Sequence, residues 1–419
     1  MGAARPETAG TPNLAALVLQ RIPQLGPIAF GVLFAAFFFS PYWLVINLVH
    51  TLSWEPPALV SSDGINIGRD FNAFYSASML TLNGEAANAY DHVANSAMQE
   101  RVIGAPVTFF PWFYPPIMFL FVAPLALMPY FVAFGLWVLA PLAAAALTIR
   151  RYAGHVLASA AFLIFPGTAQ SVLAGQNGVL SALIVMGGLL NLERKPVLAG
   201  AILGLLSYKP HIAATVFAAL LIGRYWRALG AAIAVSFALA LASVVAFGWE
   251  PWFAFLRETE TARTFMEDGK LRWSFMATMF GAARIVGIDV TIAYALQTVV
   301  TCGALVALFA VWHRREIPLE QRAAVLVTVI PLMTPYVFSY DLPMLGLALL
   351  WLGRAAWETG FRRGEAVVFA ASWVVAPLGW VIADWSDVLV TPFVIVALLG
   401  VLLLRIFRAV EQEGGLKPA

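Results

Sequence analysis

Long stretches without a charged residue recur along the chain and predict a series of membrane helices. Residues 102–149 contain no Asp, Glu, Lys or Arg over 48 positions, and a helix needs about 20 apolar residues to cross a bilayer. An earlier apolar run begins near Gly26 and has no cleavage pattern after it, so it is expected to remain as the first membrane helix. The other charge-free runs that each predict one helix are 228–248, 290–312, 323–340, 366–383 and 388–404.

Two regions interrupt this pattern with segments too short to cross a membrane alone. The turn sequence GQNG at 175–178 divides the charge-free run 156–192 into two parts. Lys209-Pro210-His211 separates residues 197–208 from residues 212–223, and neither half reaches 20 residues. Irregular backbone at membrane depth is tolerated only beside protein or a water-filled cavity. Residues 197–208 and 212–223 are therefore predicted to be broken or re-entrant helices, and residues 156–192 are predicted to form two short helices.

Composition supports the same class of protein. Of the 419 residues, 61% are hydrophobic and 11% are charged, against roughly 25% charged in an average soluble domain. We expect one integral membrane domain over residues 1–419, all-α and polytopic, with about ten to twelve transmembrane helices. The net charge of +2 gives no reason to expect a nucleic-acid partner, and five His and one Cys are too scattered for a metal cluster. No metal and no cofactor are expected.

The distribution of Lys and Arg predicts the orientation of the helices. Basic connectors mark the cytoplasmic side of membrane proteins, and here they are Arg194-Lys195, Arg224 to Arg227, His313 to Arg315 and Arg362-Arg363. This assignment makes residues 50–110 the first outer loop and residues 249–272 the second. Arg150-Arg151 does not fit, because two full crossings between 111 and 149 would leave that pair outside.

The two outer loops have distinct patterns. In residues 50–110 several positions recur at helical spacing and predict an amphipathic helix at the membrane interface. These positions are Phe71, Phe74, Tyr75, Ser78, Met79 and Leu82. Residues 249–272 concentrate charged side chains around Trp249, Trp252 and Trp273, and aromatic rings at a membrane boundary commonly serve as anchors.

Asp70 is the first candidate for chemistry. An Asp directly before an amphipathic helix is typical of an N-cap, where it accepts hydrogen bonds from free backbone N–H groups. A general base at the membrane surface needs the same residue type, since a carboxylate next to a water-poor pocket can take a proton from a hydroxyl. The two roles are compatible, and the residue pattern leaves both open.

Lys209 is the second candidate, because a lysine between two short apolar segments is costly at membrane depth and suggests a function. Its ammonium group among helix ends is suited to hold a phosphate, and His211 could support the same group. The alternative is a snorkelling or interfacial lysine beside a plain interfacial histidine.

The remaining candidates are polar residues at turns and loop ends. Gln176 and Asn177 are either turn residues or amide partners for sugar hydroxyls. Tyr340-Asp341 is either a helix cap or part of a site, and Tyr114 precedes two prolines that are typical of a helix start. Arg263, Lys270 and Arg272 would offset a phosphate charge if they face the site. Otherwise they form a solvated loop face.

With these residues in place, the sequence resembles the polyprenyl-phosphate-mannose-dependent glycosyltransferases of family 87, which have the GT-C fold. The resemblance extends over roughly residues 65 to 350 and rests on four segments in their typical order and spacing. They are GRDFNAFYSASMLTLNGEAANAYD (68–91), FYPPIMFLFVAPLALMP (113–129), GQNGVLSALIVMGGLLNLERKPVLAGAILGLLSYKPH (175–211) and PYVFSYDLPML (335–345).

The resemblance implies a membrane enzyme that takes a sugar, expected to be mannose, from a polyprenyl-phosphate donor and passes it to a lipid or glycan acceptor. It implies Asp70 as the base and Lys209, with Arg263 and Arg272, as the surroundings of the donor phosphate. Some members carry a histidine in the late motif, where this chain has Tyr340-Asp341. The protein is then expected in a bacterial inner membrane with its site facing the periplasm.

Two other functions are compatible with parts of the pattern. Broken helices and an intramembrane charge are also typical of a transporter or flippase for a lipid-linked or small polar substrate. A structural or assembly subunit of a polysaccharide system would retain the fold without catalysis. The long polar loop at 50–110 favours the enzyme, since a transporter has little use for it.

Overall fold

The computed structural model describes residues 58–414 except 62, 63 and 155, together with six single positions before residue 58. Within this part of the chain the backbone forms 17 α-helices and no strand. The predicted first membrane helix near Gly26 lies outside the continuously described residues. The helices are α1 Phe71–Leu82, α2 His92–Ile103, α3 Phe119–Val122, α4 Tyr130–Ala153, α5 Val156–Ile164, α6 Pro166–Leu173, α7 Gly178–Asn191, α8 Pro196–Gly204, α9 Pro210–Ile222, α10 Trp226–Phe247, α11 Glu250–Glu267, α12 Met279–Ile285, α13 Val290–Trp312, α14 Leu319–Val329, α15 Leu345–Thr359, α16 Glu365–Ser386 and α17 Thr391–Gly414.

Many of these helices have the length and composition of membrane segments. Five of them, α4, α10, α13, α16 and most of α17, are long and apolar enough to cross a bilayer. The pair α5 and α6 meets at Pro166 with a bend of 56° and passes the same test together. Shorter apolar helices lie at Pro116–Leu127, Gly178–Asn191, Pro196–Tyr208 and Pro210–Ile222. The protein is thus an all-α polytopic membrane protein, as the hydropathy pattern predicted.

The structure removes the conflict at Arg150-Arg151. Only one full-length helix, α4, lies between residues 111 and 153, because Pro116–Leu127 is a succession of 3-10 and α turns of 12 residues. Prolines interrupt that segment, and each proline removes a backbone hydrogen-bond donor. The assumption of two full crossings in this stretch was wrong, and α4 carries the chain from one end of the bundle to the other.

The predicted basic connectors meet at one end of the helix bundle, called the basic end here. Arg315 donates through Nε to the carbonyl oxygen of Gly223 at 2.9 Å. Arg322 donates to Glu193 at 3.0 Å, and Tyr152 at the end of α4 bonds to Glu320. Arg150-Arg151 therefore lies at the same end as the connectors after α7, α9 and α13.

Close backbone packing joins α8 to α10. A Cβ on Gly200 would lie 2.0 Å from the carbonyl oxygen of Ala228, and one on Gly204 would lie 2.7 Å from that of Ala232. Small residues let helix backbones approach and gain dispersion contacts where no hydrophobic effect drives association. This packing holds the short helix α8 in place although it is less than half a membrane span.

The two segments that the sequence predicts to be outer loops contain helices that pack on the rest of the protein. Helix α1 spans residues 71–82 as predicted, and most of its residues are buried, the polar Asn72 and Ser76 among them, whereas Leu82 is exposed. The second loop forms α11, an 18-residue helix. The ring of His92 on α2 contacts Glu258 on α11 at 2.5 Å, which ties the two loop regions together.

Candidate active site

The segment before α1 folds tightly against the turn between α6 and α7. Gly68 and Arg69 have positive φ angles of 83° and 47°, and the backbone N–H of Asp70 donates to the carbonyl oxygen of Ala174 at 3.2 Å. Gly175 allows this approach, because a Cβ there would lie 2.3 Å from the carbonyl oxygen of Gly68. The backbone thus fixes Asp70 beside the GQNG turn.

Asp70 stands at the N-cap position of α1, but its side chain makes no capping hydrogen bond. Its Oδ2 instead accepts a hydrogen bond of 2.7 Å from Nε2 of Gln176. The capping role that the sequence suggested is therefore not what this carboxylate does. The carboxylate faces Gln176 of the GQNG turn, next to the close backbone contact between Gly68 and Gly175.

The environment of Asp70 changes its acidity. Burial among protein atoms raises the pKa of the carboxyl from 3.8 to about 6, although the hydrogen bond from Gln176 and the charge of Arg69 act in the opposite direction. Asp70 as a whole residue keeps intermediate exposure. A carboxylate with a pKa just below neutral is mostly ionised at pH 7 and is a better base than an ordinary Asp.

A chain of side-chain hydrogen bonds continues from Asp70 through the turn. The Tyr114 hydroxyl donates to Oε1 of Gln176 at 3.1 Å, and Nδ2 of Asn177 donates to the Tyr114 oxygen at 3.1 Å. These contacts fix the amide of Gln176 with its nitrogen toward the carboxylate. Within the described residues, the buried Oδ1 of Asn177 has no hydrogen-bond partner.

The turn also contacts the late motif. A Cβ on Gly178 would lie 2.0 Å from the carbonyl oxygen of Tyr340, so the start of α7 touches the backbone of the 3-10 helix Ser339–Met344. Burial raises the pKa of the Tyr340 phenol well above its ordinary value. The negative charge of Asp341 raises this pKa further, and the charge of Asp70 adds a smaller effect in the same direction. Both carboxylates therefore act on one ring.

Lys209 and Asp341 form a buried ion pair next to this ring. Each residue is 4% exposed, and Nζ of Lys209 donates to Oδ1 of Asp341. Lys209 has a non-helical backbone, with φ −125° and ψ 81°, before Pro210, the first residue of α9, since a following proline disfavours the helical region. Its Nζ lies 5.9 Å from the centre of the Tyr340 ring. The lysine does not snorkel to water, and Asp341 binds it instead of capping α15.

His211 lies one residue beyond Pro210, in the first turn of α9. Its ring packs edge-on against Tyr336 with centroids 6.3 Å apart, and within the described part of the chain its buried Nε2 has no hydrogen-bond partner. Its electrostatic neighbours include both Asp341 and Lys209. His211 thus belongs to the same cluster as the ion pair.

Arg263 and Arg272 lie on the exposed surface of the second loop region. Arg272 donates to Asp384 at 2.8 Å, and Arg263 lies within 4 Å of Glu260 and Glu267 on its own helix. Both arginine side chains are about 60% exposed. None of their described contacts reaches Asp70 or Lys209, so a role near the donor phosphate stays a prediction for both.

Sequence reasoning missed a second polar layer under the turn. Tyr208 is fully buried, and its hydroxyl pairs with Ser181 at 2.9 Å. Ser181 donates to the carbonyl oxygen of Asn177 at 3.1 Å. In the described chain the buried hydroxyls of Ser171 and Ser339 have no partner. Such residues inside apolar helices carry no local pattern, so only their shared surroundings reveal them.

The cluster combines three kinds of chemical group at one end of the bundle. It holds a carboxylate with a raised pKa, an ammonium with two N–H groups beyond the one donated to Asp341, and polar oxygens and nitrogens between them. Such an arrangement can take a proton from one substrate group and offset negative charge on another. The cluster lies at the end of the bundle opposite the basic connectors.

Comparison with known proteins gives the chain a family. The model described as Glycosyltransferase family 87 matches residues 112–335, more than half of the 419 residues. The matched stretch includes Tyr114, the GQNG turn and Lys209. No curated protein and no solved structure gave a match to the chain. The chain belongs to glycosyltransferase family 87, a polyprenyl-phosphate-mannose-dependent family of the GT-C type.

Proposed function

We propose that this membrane glycosyltransferase transfers a sugar, with mannose as the expected one, from a polyprenyl-phosphate donor to a lipid or glycan acceptor. The transfer takes place at the periplasmic face of the membrane, on the side opposite the basic connectors. The observation that carries the proposal is the cluster in which Asp70, the GQNG turn and the Lys209–Asp341 pair meet.

The proposed reaction is a single displacement with inversion at the anomeric carbon. Asp70 takes the proton of the acceptor hydroxyl as that oxygen forms a bond to the anomeric carbon. The bond between this carbon and the phosphate oxygen breaks at the same time, and polyprenyl phosphate leaves with both electrons. A phosphate is a stable leaving group, so the scheme requires neither a general acid nor a metal.

Positive charge near the leaving group is provided by Lys209. The ammonium has three N–H donors, of which Asp341 takes one, so two are free to meet phosphate oxygens. His211 adds a ring nitrogen that no other described group binds. In a site with little water, the fixed charge of Lys209 stabilises a developing phosphate charge more than it would in bulk solvent.

The turn residues are suited to bind the sugar. Asn177 has a buried oxygen without a described partner, and a sugar hydroxyl can donate to it. The hydroxyl of Tyr114 bonds to the amides of both Gln176 and Asn177. Gln176 acts on the base, because its hydrogen bond fixes the direction of the Asp70 carboxylate.

Purified protein in detergent with radiolabelled polyprenyl-phosphate-mannose and a membrane lipid extract tests the proposal. The native protein should give a labelled product, whereas Asp70→Asn should lose turnover and still bind the donor. A labelled product from Asp70→Asn at the native rate would remove the base from the mechanism. If the protein transfers only another sugar from the same polyprenyl-phosphate carrier, the proposed mechanism is retained and the assignment of mannose as the donor sugar is wrong.

A further inference from the structure

A large cavity lies at the basic end of the bundle, at the end opposite Asp70 and Lys209. It has a volume of about 1660 Å³ and lies between α4, α5, α7, α14, α15 and α16. Pockets for drug-sized ligands hold roughly 300–1,000 Å³, so this cavity accommodates a larger molecule. Its inner wall is apolar and includes Leu157, Ala161, Leu190, Leu350, Trp351 and Phe369.

The acidic side chains at the mouth of the cavity already have basic partners. Glu193 accepts from Arg322, whose side chain is almost completely buried. Glu320 and Glu358 both pair with Arg354, at 3.6 and 3.3 Å. Arg322 and Arg354 thus supply two positive charges against the three glutamates that line the cavity, which leaves one negative charge uncompensated.

The other charged side chains that line the cavity are positive. Arg151 and Arg194 line the cavity and are exposed, and neither makes a side-chain hydrogen bond or ion pair within the described part of the chain. Arg315 donates to the backbone carbonyl oxygens of Gly223 and Arg224, so it contributes a charge without an acidic partner. Three arginines against one uncompensated glutamate give the mouth a net positive charge, so it attracts an anion, while the apolar wall behind it attracts hydrocarbon.

A molecule that matches both the basic mouth and the apolar wall has an anionic head and long apolar chains. We propose that the basic-end cavity binds an anionic phospholipid from the bilayer, with its phosphate at Arg151 and Arg194 and its acyl chains against α5, α7 and α15. Guanidinium groups bind phosphate oxygens through two parallel hydrogen bonds. The inference does not depend on the proposed glycosyl transfer, because no residue of the Asp70 cluster lines this cavity.

Photocrosslinking in nanodiscs tests the site with the whole protein. The discs are made of phosphatidylcholine with a minor fraction of phosphatidylglycerol that carries a photoactivatable acyl chain, and mass spectrometry locates the crosslinked peptides. We expect crosslinks in α5, α7 and α15. Added phosphatidylglycerol should compete for them, whereas phosphatidylcholine and soluble glycerol 3-phosphate should not.

Variants separate the charge at the mouth from the apolar wall. Arg151→Ala combined with Arg194→Ala should lower the crosslink yield about tenfold, the effect of losing about 1.4 kcal/mol of binding free energy. Arg227→Ala is the matched control, since Arg227 is exposed near the same end but does not line the cavity. Ala161→Phe should lower the yield by occupying part of the cavity while leaving the charges unchanged.

Four results would overturn the proposal. One is equal loss of crosslinks in the double variant and in Arg227→Ala, and another is crosslinks spread over the outer surface of the bundle. The third is competition by phosphatidylcholine as strong as by phosphatidylglycerol. Competition by glycerol 3-phosphate alone would assign the mouth to a soluble phosphate ester instead. Size-exclusion profiles matching the native protein would show that the variants are folded.

Discussion

Gln176 donates a hydrogen bond of 2.7 Å to the carboxylate of Asp70, although the two residues are 106 positions apart in the chain. The donor is held in turn by Tyr114, which binds the oxygen of the same amide. A hydrogen bond to the charged form of an acid lowers its pKa, and this one opposes the effect of burial on Asp70. Gln176 therefore controls both the direction and the basicity of the carboxylate.

Replacing Gln176 by leucine tests this relationship. Loss of a hydrogen bond to a charged group costs about 1.5–3 kcal/mol, so we expect kcat to fall roughly ten- to a hundredfold in Gln176→Leu. The pKa of Asp70 should rise, which moves the acidic limb of the pH–rate profile to higher pH. Gln321→Leu at the basic end is the control and should change neither value. A slower variant with an unmoved acidic limb would mean that Gln176 acts on the substrate alone.

The pH dependence of the native enzyme follows from Asp70 itself. The base must be ionised to accept a proton, and burial raises its pKa to about 6. The value of kcat/KM should therefore rise between pH 5 and pH 7 with a midpoint at about pH 6, and it should level off above pH 7. Measurement of transfer rates over this range checks the midpoint. A rate that stays constant down to pH 4.5 would show that this carboxyl does not limit the reaction.

The Lys209–Asp341 pair makes a prediction about stability. Removing one partner of a buried pair leaves an uncompensated charge and costs about 3–5 kcal/mol, whereas replacing both partners by apolar residues is often close to neutral. Asp341→Leu and Lys209→Met should each lower the melting temperature in detergent strongly. The double variant should recover most of that loss.

Activity separates the two roles of Lys209 in the same set of proteins. The double variant should be stable yet inactive, because it lacks the ammonium for the donor phosphate. If the double variant transfers sugar at the native rate, Lys209 is a structural residue only. Lys209→Arg, which keeps the charge but changes its shape, should retain part of the donor affinity.

The fold was predictable from the chain where the pattern is local. Charge-free runs identified most of the helices, and turn residues identified the GQNG break and the interruption at Lys209. The segment Pro116–Leu127 was not predictable in this way, because absence of charge says nothing about helix continuity. Prolines in that stretch interrupt the backbone hydrogen bonds, and the resulting short turns removed a predicted crossing.

The candidate site was predictable as a set of residues but not as a set of contacts. Asp70, Gln176 and Lys209 each stood out by residue type and place. Their contacts depend on backbone approaches at Gly175 and Gly178, which packing between distant segments creates. The buried Tyr208–Ser181 pair gave no signal at all, since a hydroxyl inside an apolar helix is satisfied only in three dimensions.

The two glycines of the turn should not tolerate a side chain. At Gly178 a Cβ would lie 2.0 Å from the carbonyl oxygen of Tyr340, and at Gly175 it would meet Gly68 at 2.3 Å, with a φ of +66° as well. Overpacking typically costs about 1–3 kcal/mol. Gly178→Ala and Gly175→Ala should therefore lower the melting temperature by several degrees and reduce transfer, because the turn moves away from Asp70 or from Tyr340.

The matched controls are glycines in open surroundings. A Cβ on Gly135 or on Gly230 would meet no atom within 4 Å outside its own helix. Alanine favours a helix interior over glycine by about 1 kcal/mol, so Gly135→Ala and Gly230→Ala should leave the melting temperature unchanged or raise it. Equal losses at all four positions would show that the close contacts around the turn are not what these glycines permit.

Asp70 should also reduce the stability of the protein at neutral pH, since a base in a water-poor place opposes folding. Its pKa is raised from 3.8 to about 6 in the folded state, so between these values the folded protein binds more protons than the unfolded one. The contribution of Asp70 is therefore most favourable below pH 3.8 and is lost as the pH rises through 6.

The variant Asp70→Asn carries no charge to desolvate, so its melting temperature should exceed that of the native protein at pH 7.5. This gap in melting temperature should narrow at pH 5. Thermal melts of both proteins at the two pH values measure the gap, with Asp387→Asn as a control on an exposed carboxyl. A difference in melting temperature that is absent at pH 7.5, or equally large at both pH values, would contradict a raised pKa of Asp70, which the proposed mechanism uses.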